Sequence, residues 1–267
     1  MKTLDFKIID LPEASLDKTA VLVTGPHEAL LVDAGFTLSD GRRLVDEVRA
    51  SGKRLTTVFV SHGDPDFYFG AEVLQDAFPE ARFLAAPAVV EHIKETYPAK
   101  LETWARLGPE LSTRLVLPEP LPGGAVEFEG HRLEVRGADF HLPDRHYLWE
   151  HRQRAILGGV LLFQGLHAWT ADTPTPAQRG AWIDLLDEME ALNPSFVAAG
   201  HRRAGASADV SAIGYTREYL RTFETEIGQA ENAEAARAAL ERHYPQAGLK
   251  LAVELGTKVA MGELHWQ

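Results

Sequence analysis

Val58-Phe59-Val60-Ser61-His62-Gly63-Asp64-Pro65-Asp66-Phe67-Tyr68-Phe69-Gly70 decides the reading of this chain. The run from Leu55 to Val60 is apolar, as a buried strand is. Gly63 and Pro65 punctuate a sharp polar turn, and the pattern then predicts a helix from Asp66 to Phe78. His62, Asp64 and Asp66 alternate in that turn. Strand ends that feed helices are where α/β proteins bind ligands. Three side chains able to hold a metal, just past a buried strand, mark a candidate site. Asp is also favoured in turns and at helix N-caps, so capping competes with metal contact for Asp64 and Asp66.

Outward toward the N-terminus, residues 6–11, 19–24 and 29–32 read as short strands, the third ending in Val32-Asp33-Ala34-Gly35. Ser39 or Asp40 is the expected cap of a helix through Ala50, with Leu44, Val45 and Val48 on one face. Toward the C-terminus come a strand at 82–85, a helix at about 88–107 and a hairpin at 125–135. Gly137-Ala138-Asp139-Phe140-His141 follows, then strands at 147–149 and 156–163, the latter containing Gly158-Gly159. A loop carries His167, Trp169 and Asp172. A helix at 173–192 places Trp182, Leu185, Leu186 and Met189 on a core stripe. Phe196-Val197-Ala198-Ala199-Gly200-His201 is the last strand and its exit, and residues 209–267 read as helices.

The central stretch resembles the signature of the metallo-β-lactamase superfamily, His-x-His-x-Asp-His with a Gly three residues on. Here it stands as His62-Gly63-Asp64-Pro65-Asp66-Phe67, then Gly70, with Asp64 and Phe67 replacing two histidines. Asp33, the Gly137–Asp139 region, Gly158-Gly159 and Gly200-His201 follow the family's order, so the resemblance covers about residues 6–205. It implies an α/β fold, a four-layer αββα sandwich with extra C-terminal helices, in one domain spanning 1–267. It implies His62 and Asp64 as ligands of a first metal, Asp66 and His201 as ligands of a second, and Asp33 as support beneath them. Asp139 is a further ligand candidate, because Ala138 fills the position of a family histidine. Phe67 cannot ligate and Gly159 cannot bridge two ions. The expectation is therefore one divalent ion, zinc first, with manganese or iron as alternatives. Asp66 is the expected general base. Phe67, Tyr68, His141, His167, Trp169 and Asp172 are expected around the pocket. Several carboxylates converging on one place need protons or a cation. His27, His92, His131, His243 and His265 read as surface residues, and Arg145 as a structural ion pair with Asp144.

Composition narrows the function classes. The chain of 267 residues has ordinary apolar (45%) and charged (25%) fractions. A formal net charge of -12 argues against nucleic acid and against an anionic membrane surface. There is no cysteine, which excludes disulfides and thiolate metal sites. The first eleven residues include Lys2, Asp5, Lys7 and Asp10 and show no leader-like apolar core, and no stretch has bilayer length. A cytoplasmic protein acting on a small-molecule substrate is expected, with a dimer left open. The expected activity is hydrolysis of a small ester, lactone or thioester. The alternatives are a catalytically inactive member that binds a small molecule or protein, and a mononuclear-iron oxidoreductase.

Overall fold

A computed structural model describes residues 3–266; Met1, Lys2 and Gln267 lie outside the described residues. The first sheet is built from β1 (Asp5–Asp10), β2 (Thr19–Thr24), β3 (Glu28–Val32), β4 (Arg54–Val60), β5 (Arg82–Ala85) and β6 (Glu119–Pro120), paired in that order. The second contains β7 (Ala125–Phe128), β8 (His131–Asp139), β9 (Leu142–Glu150), β10 (Ala155–Leu157) and, past the short β11 (Phe163–Gln164), β12 (Phe196–Ala198). Its order is β12-β10-β9-β8-β7, and β11 pairs separately with β13 (His201–Arg202).

The two sheets face one another through Val21, Val23, Leu30, Val32 and Phe59 on one side and Val126, Leu133, Leu148 and Leu157 on the other. Because side chains alternate along a strand, the opposite face of the first sheet presents Ile9, Leu22, Leu31 and Val58. These pack under α1 (Leu38–Ala50) and α3 (Ala71–Ala77) through Leu44, Val45, Val48 and Leu74. The outer face of the second sheet places Tyr147, Trp149 and Ile156 in one cluster with Trp182, Leu185, Leu186 and Met189 of α5 (Pro176–Ala191). Ile213, Tyr219 and Phe223 of α6 (Ser211–Gln229), Leu240 of α7 (Ala233–His243) and Val253 of α8 (Lys250–Ala260) extend that cluster. The result is an αββα arrangement with added C-terminal helices.

Two local expectations are corrected. Thr37, not Ser39 or Asp40, caps α1; Asp40 is its capping-box partner three residues on. The helix expected over residues 66–78 is split into α2 (Pro65–Tyr68) and α3, with Phe69 and Gly70 between. Gly70 packs against the Ala34 carbonyl so closely that a β-carbon there would lie 2.2 Å from that oxygen. The break pins the signature turn to the exit of β3.

Candidate metal centre and cleft

Asp33 leaves β3 in a left-handed conformation (φ 67°) and turns its carboxylate under the exit of β4. It accepts hydrogen bonds from the Ser61 amide (2.8 Å) and the Ser61 hydroxyl. Lys18, fully buried, donates to Asp33 (2.9 Å) and to the Thr19 carbonyl (2.6 Å). Its ammonium also lies 4.1 Å from the centre of the Phe67 ring, a cation–π contact. Phe67 in turn stands between two histidines, 5.2 Å from the His62 ring and 5.8 Å from the His201 ring.

On one side of Phe67, His62 is buried and its Nδ1 lies 3.3 Å from the Asp144 carbonyl. That contact presents Nε2 toward Asp64, 3.3 Å away. Asp64 occupies the N-cap position of α2 but makes no capping bond. It pairs instead with Lys100 (2.9 Å), which arrives from α4 (Pro87–Thr103). Asp172 pairs through one oxygen with the buried Arg145 (2.6 Å). One ligand atom each from His62, Asp64 and Asp172 lies within 4.8 Å of the others. His62 Nε2 and Asp172 Oδ1 have no hydrogen-bond partner. Asp144 also reaches His92 Nδ1 at 3.0 Å.

On the other side, His201 Nδ1 contacts the Leu16 carbonyl (3.0 Å) and its ring stacks on Phe163 (4.9 Å). Its Nε2 faces Asp66 Oδ2 at 3.2 Å, and that oxygen makes no hydrogen bond. Among the described residues, no third donor joins this pair to form a ligand cluster. A carboxylate cannot come from position 159 either: Gly159 has φ 86°, and a β-carbon there would sit 2.4 Å from the His146 carbonyl.

The electrostatics follow from this crowding. Burial disfavours the His62 imidazolium, but Asp64 and Asp144 beside it outweigh that and push His62 up to about 9. Burial would raise Asp64, yet Lys100 and His62 hold its carboxyl well below the usual range. Asp172 is raised, chiefly by burial, against the pull of Arg145. The expectation that converging acids must recruit a cation is thus met in part by the chain itself. Asp33, Asp64, Asp66, Asp144 and Asp172 face Lys18, Lys100 and Arg145. The His62 imidazolium adds a further positive charge beside Asp64 and Asp144.

The structure redistributes other expected site residues. Asp139 lies at the exposed tip of the β8–β9 hairpin, where its carboxylate accepts the His141 amide (2.8 Å); it is corrected from ligand to turn residue. His141 lines only an open depression shared with His92, Asp144, Arg145 and Asp172. His167 is buried away from the cleft, between Tyr219 (3.1 Å) and Lys250 (3.3 Å). Tyr68 is buried against Phe69 and Tyr97. His92 and His131 are not free surface residues: His92 meets Asp144, and His131 pairs with Glu150. Arg145 pairs with Asp172 rather than with its neighbour Asp144.

Sequence reasoning missed Lys18, Lys100 and Asp144. Lys100 carried a usable signal, since it shares the buried face of α4 with Val89, Val90 and Ile93. A lysine on an apolar stripe asks for a buried partner.

A narrow cleft of about 420 Å³, its open mouth included, leads to the floor formed by Asp64, Asp66, Lys100 and His201. Phe67, Trp104, Val160 and Trp169 wall it, together with Leu249 and Trp266 from the C-terminal segment.

A family model described as the metallo-beta-lactamase superfamily matches residues 16–201. Among solved structures, a metallo-beta-lactamase family protein from Thermus thermophilus is 18% identical, with a TM-score of 0.62, covering 97% of this chain and 93% of that one. A beta-lactamase domain protein from Burkholderia ambifaria is 18% identical, with a TM-score of 0.66 and coverage of 97% and 84%. The TMB-1 structure is 16% identical, with a TM-score of 0.56 and coverage of 82% and 98%. At these identities the likeness concerns the fold. No curated protein shows significant similarity to the sequence.

Proposed function

The chain belongs to the metallo-β-lactamase superfamily, and from that premise we propose that it is a hydrolase of small carboxylic esters, lactones or thioesters working with one divalent ion. His62, Asp64 and Asp172 would hold the ion, with zinc the first choice and manganese or iron tolerated by the oxygen-rich set. The observation that carries this reading is that each carboxylate keeps one oxygen clear of its own cation partner. One ligand atom from each carboxylate lies within 4.8 Å of the other and of a His62 ring nitrogen. The contact from His62 Nδ1 to the Asp144 carbonyl supports it, because metal-binding histidines are commonly oriented this way.

Such an ion supplies Lewis acidity toward a carbonyl oxygen and acidifies water. The chain's own residues do the rest. Asp66 Oδ2, buried and without a hydrogen bond, accepts a proton from the attacking water. His201 Nε2, 3.2 Å away, steadies that proton and returns one to the leaving oxygen or sulfur as the acyl bond breaks. Phe67 and the tryptophan walls limit the water that reaches the floor.

The donor set of one imidazole and two carboxylates differs from the two-histidine, one-carboxylate face of non-haem iron oxygenases. That difference favours hydrolysis over the iron oxidoreductase alternative. The test is elemental analysis of protein purified without added metal, beside His62→Ala, Asp172→Ala and His201→Ala. Near one equivalent is expected in the parent and in His201→Ala, with loss in the other two. A parent that stays metal-free after incubation with zinc, manganese or iron would overturn the proposal and leave a binding cleft in its place.

A further inference from the structure

We infer, resting on the hydrolytic reading above, that the substrate is an uncharged ester or lactone with a slim apolar acyl chain. Leu249 and Trp266, beyond the family-matched region, are its specificity-determining residues.

The walls argue for an apolar group. Trp169 and Trp266 meet edge to face with ring centres 5.5 Å apart, and both line the cleft. Trp104 stands opposite in the same lining, held edge-on against Phe36 at 4.8 Å. Trp104 and Trp169 are buried by this packing, so little conformational entropy is lost there on binding, and Trp266 is half-buried beside Trp169. Leu249 enters α8 in the left-handed region (φ 55°), which disfavours a branched side chain. The chain accepts that strain and places Leu249 in the cleft wall.

The floor argues against an anion. Lys100, the lysine in the cleft lining, is spent on Asp64 at 2.9 Å. Lys18 lies behind Phe67 and is paired with Asp33. Among the described residues, the lining offers a substrate carboxylate or phosphate no unpaired lysine or arginine. Such a group could pair only with the ion that the reacting carbonyl oxygen needs, and it would do so beside Asp66 and in the field of a chain with net charge -12.

The matched region ends at residue 201, while Leu249 and Trp266 flank α8. The family core therefore supplies the reacting floor and the Trp104 and Trp169 walls, and the added segment closes the cleft with Leu249 and Trp266.

The test uses full-length protein reconstituted with zinc. Hydrolysis of p-nitrophenyl acetate, butanoate and octanoate is compared with that of butyrylthiocholine, bis(p-nitrophenyl) phosphate and the anionic cephalosporin nitrocefin. Binding is read separately, through tryptophan fluorescence, with decanamide and decanoate as uncharged and anionic probes. The expected result is a rise in kcat/KM of about two- to four-fold per added methylene until the cleft is filled. Decanamide should bind at least tenfold more tightly than decanoate. Trp266→Ala should raise KM for the octanoate about tenfold with kcat little changed, a larger rise than for the acetate, while Trp266→Phe restores most of the loss. Preference for the phosphate, the cephalosporin, the cationic ester or decanoate overturns the inference, as does a chain-length series indifferent to Trp266. Selective decanamide binding without hydrolysis of any ester upholds the apolar cleft and removes the hydrolytic reading instead.

Discussion

The Phe67 ring divides the candidate centre into two unlike halves. On the His62 side, donors from β4, the signature turn and the loop before α5 converge, and two of their atoms lack hydrogen bonds. On the His201 side there is one acid, one imidazole and an aromatic wall, with a buried ammonium behind it. Both halves carry internal cations, Lys100 and Arg145 on the acids of the first and Lys18 behind the second, but among the described residues only the first gathers three ligand-type side chains. A second divalent ion near the Phe67 ring would meet the Lys18 ammonium, whose repulsion its partner Asp33 offsets in part. On the proposed reading, Phe67 in place of a histidine, with Lys18 behind it, leaves Asp66 and His201 as an acid–base pair.

The strongest way to break this comparison is to remove the internal cation. Lys18→Met should cost about 3–5 kcal/mol in urea denaturation, because Asp33 is left charged, buried and unpaired. A loss under about 1 kcal/mol would mean that Lys18 does not hold the second half together. Adding Asp33→Asn should return part of the loss.

A second prediction keeps the halves apart from the rest of the fold. His167 belongs to neither half. Burial and Lys250 lower its pKa to about 4 from an ordinary 6.5. As pH falls, the unfolded chain takes up this proton first. Stability should therefore be full above pH 6.5 and decline toward pH 4 by up to roughly 3 kcal/mol. His167→Gln should flatten that slope in pH-dependent melting, and an unchanged slope would reassign it to the centre.

Smaller effects sharpen the contrast. Asp144→Asn should weaken zinc binding by no more than about tenfold in a competition titration, since the Asp144 carbonyl that meets His62 Nδ1 is kept and only its carboxylate, 3.7 Å from that nitrogen, changes. Leu16→Ala, behind His201, should leave zinc affinity unchanged. Phe67→His is expected to show the least: with Lys18 in place, the metal content should stay near one equivalent. A second equivalent bound by that single variant would break the two-half description.

Much of this centre was legible because its signals are local. An apolar run that ends in a polar turn places His62, Asp64 and Asp66 at a strand exit. Asp33 and His201 are placed by the same logic at the ends of β3 and β12. Asp139 shows where local reading fails. A Gly-rich stretch that looks like a strand exit in sequence is the tip of a hairpin in space, so its carboxylate turns to its own backbone. Asp172 could be placed near the pocket but not ranked above Asp139, since only the folded loop brings it to His62.

By itself, the sequence determined most of the strands and helices and the strand ends that carry chemistry, while the αββα layering was implied by the family resemblance. Periodicity, turn residues and apolar runs act over a few neighbouring positions, and those positions are written side by side. The tertiary structure alone decided which charge answers which. Lys18 meets Asp33, Lys100 meets Asp64 and Arg145 meets Asp172 across separations that no local pattern encodes. Each pairing depends on how the sheets and helices close on one another, and that closure sets the paired charges on either side of Phe67.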